Sequence, residues 1–141
     1  MRPALLLALA FAAITPRTAV AAETREEVRY AAHLADLVNQ YRARNGLRPL
    51  TLEPALDALA REHSVAMAAA KRLSHDEFPS RVRRSGHAMC VENVGFNYRS
   101  PESQFEGWRG SAGHDRNMLD KRVDRMGIGV AADYVTLIAC L

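Results

Sequence analysis

Phe105-Glu106-Gly107-Trp108-Arg109-Gly110-Ser111-Ala112-Gly113-His114-Asp115-Arg116-Asn117-Met118-Leu119 holds the only tryptophan of the chain and three of its eight glycines. Glycine lets a backbone turn sharply and approach other groups closely. A histidine directly after Gly113 can therefore be aimed into a cleft. The plainer reading is a glycine-rich connector between two short helices, with Trp108 as a packing anchor. The stretches on either side decide between the two.

Immediately upstream, Ser100-Pro101 reads as an N-cap followed by a first-turn proline, opening the helix that carries Phe105 and Trp108. Downstream, Met126–Ala131 and Tyr134–Cys140 read as two strands, and Ala132-Asp133 as the tight link of a hairpin. Residues 88–96 have apolar side chains at 89, 91, 94 and 96, so the alternation slips near Glu92-Asn93 and predicts a bulge or turn there. Towards the N-terminus, Thr24 and Glu27 form a capping-box pattern ahead of a helix over 25–45, with Gln40, Arg42 and Arg44 on a solvated face. Leu47–Leu52 is an extended connector. Pro54 starts a second helix that fades by Lys71 or Arg72 and carries His63 on its apolar stripe, where a core histidine is expected. A polar break with Ser74-His75 follows. Next comes a short basic helix over 80–85 whose Arg81, Arg83 and Arg84 read as solvated, then His87 at the surface. Helices come first and strands late, which makes the fold α+β.

Met1-Arg2-Pro3, the apolar run from Ala4 to Ile14 and Ala19-Val20-Ala21-Ala22 have the layout of a secretory signal peptide over 1–22. An apolar run of about 11 residues is too short to span a bilayer. Residues 23–141 then form a single domain. Removing 1–22 takes Arg2 and Arg17 but no acid, so the formal charge falls from +3 to +1, 17 basic against 16 acidic side chains. No electrostatic footprint for nucleic acid remains. Export, secreted or periplasmic, permits a disulfide between Cys90 and Cys140; two buried thiols are the alternative.

Several of these pieces stand in a telling order: Leu37–Leu47 with Pro49-Leu50, Ser74-His75, Glu92-Asn93-Val94-Gly95, Gly107-Trp108, Gly113-His114 and Met126–Gly129. In that order and spacing the chain resembles the CAP domains of cysteine-rich secretory proteins, antigen 5 and pathogenesis-related proteins, in their minimal bacterial form. The resemblance implies a three-layer α-β-α sandwich around an antiparallel sheet. It also implies a cleft lined by two histidines and two acids, which holds a divalent metal in several members. The histidines match His75 and His114, and the first acid matches Glu92. At the second acid's position, three residues after the tryptophan, this chain has Ser111, with Glu106 and Asp115 as neighbouring acids.

Two imidazoles suit zinc or another borderline divalent ion. Glu92 is then either a third ligand or the group that orients a histidine through its other ring nitrogen. The alternative is a hydrogen-bonded polar cleft without metal. Three functions follow: a binding module for a lipid, sterol, peptide or cell-wall ligand; a metal-dependent hydrolase with Glu92 as general base; or a purely structural or interaction protein. No serine or cysteine is flanked by a convincing base, which argues against acyl-enzyme chemistry.

Overall fold

In a computed structural model, residues 21–141 are described. The expected signal segment lies almost wholly outside them. Five helices and four strands follow in order: α1 Arg25–Arg44, β1 Thr51–Leu52, α2 Pro54–Ala70, α3 Phe78–Ser85, β2 Cys90–Phe96, α4 Pro101–Arg109, α5 Ala112–Met118, β3 Arg125–Ala131 and β4 Tyr134–Cys140. The strands lie in the order β1-β3-β4-β2. β3 and β4 pair antiparallel around Ala132-Asp133, and β4 pairs antiparallel with β2. The two-residue β1 joins β3 in parallel, inside the stretch expected as a plain connector.

Strand alternation distributes the helices over two faces. Met126, Ile128, Val130, Val135 and Leu137 pack with Leu34 and Val38 of α1 and with Phe105 and Trp108 of α4. On the opposite face Ile138 and Cys140 meet Leu56, Leu59 and Ala60 of α2. α2 sits so close that a Cβ at Gly127 would overlap the backbone of Leu56 and Asp57, and one at Gly129 the backbone of Arg61. These two glycines let a helix lie directly on a strand.

Local signals set the helix ends. Thr24 and Glu27 make the reciprocal capping box at α1, Ser100 caps α4, and Gly86 ends α3 in the left-handed conformation. Trp108 is buried, and its Nε1 donates to the Val94 carbonyl at 3.0 Å, fastening α4 to β2.

Three expectations are corrected. β2 has no bulge: all seven of its residues pair one-to-one with β4. The alternation slipped because both faces of β2 are covered, so Glu92 turns towards α3 while Asn93 turns towards α5. Arg42 is not solvated; it is 2% exposed, and its guanidinium donates to the carbonyls of Arg48, Met118 and Asp120, each at 2.9 Å. Arg81 is not solvated either, at 5% exposed, whereas Arg83 and Arg84 of the same helix are exposed as expected.

Candidate functional site

β2 is an edge strand, so groups from both faces can meet around its outer side. From the α2–α3 layer come His63, Arg81 and the 71–77 loop with His75. From the opposite layer comes α5 with His114. Two asparagines hold α5 against the strand: Asn93 Nδ2 donates to the His114 carbonyl at 3.0 Å, and Asn117 Nδ2 donates to the Glu92 carbonyl at 3.1 Å and to Asn93 Oδ1 at 2.9 Å. His114 therefore sits in the first turns of a short helix docked on β2, with its ring 6.5 Å from that of Trp108.

Glu92 is the centre. Its side chain is 1% exposed, yet it carries a carboxylate, and burying that group requires compensating partners. Arg81 supplies them: Nε donates to Oε2 and Nη2 to Oε1, both at 2.7 Å, in the forked geometry that suits guanidinium and carboxylate. The third arm, Nη1, donates to the Asp76 carbonyl at 2.6 Å and so holds the His75 loop. His75 Nδ1 lies 2.9 Å from Glu92 Oε1 while the side chain stays 53% exposed. One ring nitrogen of His75 is anchored on a buried acid, and Nε2 has no hydrogen-bond partner among the described residues. His63 is the core histidine expected, 5% exposed, with Nε2 2.7 Å from the Ser74 carbonyl and 3.9 Å from Glu92 Oε1.

Of the residues marked in the sequence, His75 and Glu92 are in direct contact. His114 is close enough for the charge of His75 to act on it. Burial, and secondarily that charge, hold the His114 imidazole below its ordinary value; burial does the same to His63. The unfolded chain binds protons on these two side chains near pH 6.5, before the folded chain does, so stability is lost as pH falls below about 6.5. The melting temperature should drop between pH 7.5 and 5.5, and NMR should place both ring midpoints below 6.5. A higher melting temperature at pH 5.5 would contradict this.

The two neighbouring acids are engaged elsewhere. Asp115 accepts from the Tyr41 hydroxyl on α1 at 2.9 Å, and Glu106 pairs with Arg109 on the exposed side of α4 at 2.8 Å. Ser111 is the N-cap of α5 and makes no side-chain capping bond. A three-donor metal site on His75, Glu92 and His114 does not fit this arrangement, because the Glu92 side chain is 1% exposed, with Oε1 accepting from both Arg81 and His75 and Oε2 from Arg81. Among the described residues no three His, Cys, Asp or Glu side chains converge to hold a metal ion. Glu92 instead contacts His75 Nδ1, at 2.9 Å. The residues that sequence reading missed are Arg81, Asn93 and Asn117; only the polar interruption at Glu92-Asn93 hinted at them.

Beside His75, a cavity of about 350 Å³ opens between α2 and α3. Ala66, Met67 and Ala70 give it an apolar wall, while Arg72, Asp76, Glu62 and Arg84 stand at its rim as opposite-charge pairs. The disulfide is formed: Cys90 and Cys140 are bonded at the ends of β2 and β4.

A four-stranded sheet with α1 and α4 on one face and α2 on the other is an α-β-α sandwich, and that defines the class of protein. Residues 35–137 match the cysteine-rich secretory protein (CAP) family, and the chain belongs to that family. It is 30% identical over 110 residues to the membrane protein YlbC of Bacillus subtilis, covering 73% of this chain and 32% of YlbC. It is 26% identical over 107 residues to YkwD of the same organism, covering 71% of this chain and 42% of YkwD. The chain thus spans less than half the length of these relatives. Among solved structures, an extracellular SCP-domain protein of Bacillus anthracis superposes with a TM-score of 0.78 at 23% identity, over 85% of this chain and 44% of that one. A cysteine-rich secretory protein of Staphylococcus aureus superposes with a TM-score of 0.76 at 21% identity, over 84% and 40%. An outer surface protein of Borrelia burgdorferi does so at 0.74 and 15% identity, over 84% and 95%. These likenesses establish the fold. No helix among the described residues is long and apolar enough to cross a membrane.

Proposed function

We propose that this chain is an exported binding module, secreted or periplasmic, whose cleft uses His75 and His114 to hold its ligand. The observation that supports this reading is the anchoring of His75. Its Nδ1 rests on buried Glu92 and its other nitrogen is left for a partner, so a polar contact is prepared before any ligand arrives. Of the ligand classes that the resemblance implies, the adjoining cavity favours a peptide, free or carried on the cell wall, over a sterol. Its wall is apolar, but its rim alternates in charge. Binding is favoured over acyl-enzyme hydrolysis because both cysteines are bonded to each other, which leaves no thiol nucleophile among the described residues.

The test is co-sedimentation of residues 23–141 with cell-wall sacculi, with sacculi stripped of their peptides, and with phosphatidylglycerol vesicles. The expected result is retention on intact sacculi only, lost in the His75→Ala, His114→Ala double variant. Equal retention of the double variant, or retention on vesicles alone, rejects the reading. Release of wall fragments that depends on His75 would move the protein to the hydrolase class.

A further inference from the structure

Arg81 was expected at the surface and is found under the cleft, with Phe78 stacked 5.9 Å from its guanidinium carbon. Its three hydrogen-bonding nitrogens reach two targets. Two take the two oxygens of Glu92 and one takes the Asp76 carbonyl, all at 2.6–2.7 Å. Around that guanidinium stand a carboxylate and a main-chain carbonyl. The imidazole Nε2 of His63 lies 3.9 Å from the nearer carboxylate oxygen. That is the donor chemistry of a small cation site: oxygen ligands carrying one negative charge, with an imidazole at the margin. The position is filled by a cation that belongs to the chain.

We infer that Arg81 is the resident cation of this cleft. By occupying both oxygens of Glu92 it withholds that carboxylate from any metal ion and commits it to positioning His75. Zinc binds carboxylate oxygen at about 2.0–2.2 Å. Oε1 already accepts from both Arg81 and His75, and Oε2 faces Arg81 Nε at 2.7 Å in a side chain only 1% exposed, so zinc reaches this carboxylate by moving the guanidinium aside. A displaced Arg81 has no easy exit, because its side chain is 6% exposed. The same clamp acts at a distance. Through Glu92 it fixes His75 Nδ1, and through the Asp76 carbonyl it fixes the loop that carries His75. Arg81 is thus a positioning residue for His75. The inference deepens the cleft reading and rests on it only in taking His75 as the ligand-facing group.

Zinc calorimetry separates this role from a merely structural one, because losing a structural arginine does not create a metal site. Wild type, Arg81→Ala and the Arg81→Ala, Glu92→Gln double variant are titrated. Arg81→Ala should bind zinc at least tenfold more tightly than wild type, and the gain should vanish in the double variant. Equal affinities in wild type and Arg81→Ala, whether both bind or neither does, overturn the inference. If Arg81→Ala does not fold, wild type decides by NMR. At saturating zinc the Arg81 Nε–H signal should keep the position set by its bond to Glu92, and a signal displaced on zinc addition overturns the inference. The sedimentation assay with sacculi uses no metal, so failure there leaves this result standing, and failure here leaves the wall ligand untouched.

Discussion

Arg42→Ala should lower stability by about 4 kcal/mol, the largest single-residue effect expected in this chain outside the cleft. The guanidinium leaves the C-terminal end of α1 and enters the space under the 118–123 connector. There it donates to four main-chain carbonyls: Arg48, Met118 and Asp120 at 2.9 Å and Val123 at 3.5 Å. Among the described residues no carboxylate bonds to it, so carbonyl dipoles do the compensating. A hydrogen bond to a charged group is worth roughly 1.5–3 kcal/mol, and losses within one network are not additive, which keeps the total below their sum. The carbonyls of Asp120 and Val123 have no helix or strand ladder to return to, because they lie between α5 and β3, and that of Met118 is at the C-terminal end of α5. Removing the side chain leaves them unpaired in the interior. Arg42→Lys offers a point charge in place of a fork and should recover less than half of the loss. Urea unfolding with an unchanged slope measures both. An Arg42→Ala variant within about 1 kcal/mol of wild type would show that water replaces the guanidinium at no cost.

Arg42 also marks where sequence reading stops. The helix around it was legible: the capping box at Thr24 and Glu27 and the spacing of Leu34, Ala35 and Val38 place α1 to within a residue of its observed end. What one position on that helix would meet was not. Three of the four carbonyl partners lie 76 to 81 residues further along. Arg81 repeats the lesson over a shorter span, since its partner Glu92 is 11 residues away on a different element. A long basic side chain on a helix looks solvated until its tip is followed, because its stem packs against apolar neighbours either way.

β2 failed for a different reason. Alternation reports a strand with one wet face, and this strand has Glu92 under α3 and Asn93 under α5. The parallel partner of β1 lies 74 residues away, beyond any local signal. The hairpin of β3 and β4 was legible because its turn and both strands are contiguous. Within the site, the order of Ser74-His75, Glu92 and Gly113-His114 marked three side chains, and the structure joins two of them, His75 and Glu92, at 2.9 Å. The fate of the two substitute acids was half legible. Glu106 and Arg109 stand three apart on one helix and pair there, a local pattern, whereas the Asp115–Tyr41 bond spans 74 residues.

Removing the disulfide should cost about 4 kcal/mol and leave the cleft in place. Cys90 and Cys140 close a loop with a sequence separation of 50, which in the chain-entropy model contributes about that much by restricting the unfolded chain. For a domain of this length the melting temperature should fall by roughly 10–20 °C. The two cysteines face each other in the register of β2 and β4, so the bridge reinforces a pairing that six further residue pairs already make. Its own end of the sheet is held from outside as well: Leu141 N–H donates to the Met89 carbonyl and Asp124 N–H to the Cys140 carbonyl, at 3.0 and 2.9 Å. Two residues inside the bridge, Glu92 is fixed by Arg81 and paired with Ile138, and neither contact passes through sulfur. The Cys90→Ala, Cys140→Ala variant should therefore melt early and yet, at 25 °C, keep the His75 and Arg81 Nε–H resonances of the wild type. If those signals move with the bridge, the sulfurs set the position of β2 in the native state and the entropic account fails. If they stay while the melting point drops, the bridge acts on the unfolded chain, and the cleft is built by Arg81, Asn93 and Asn117 alone.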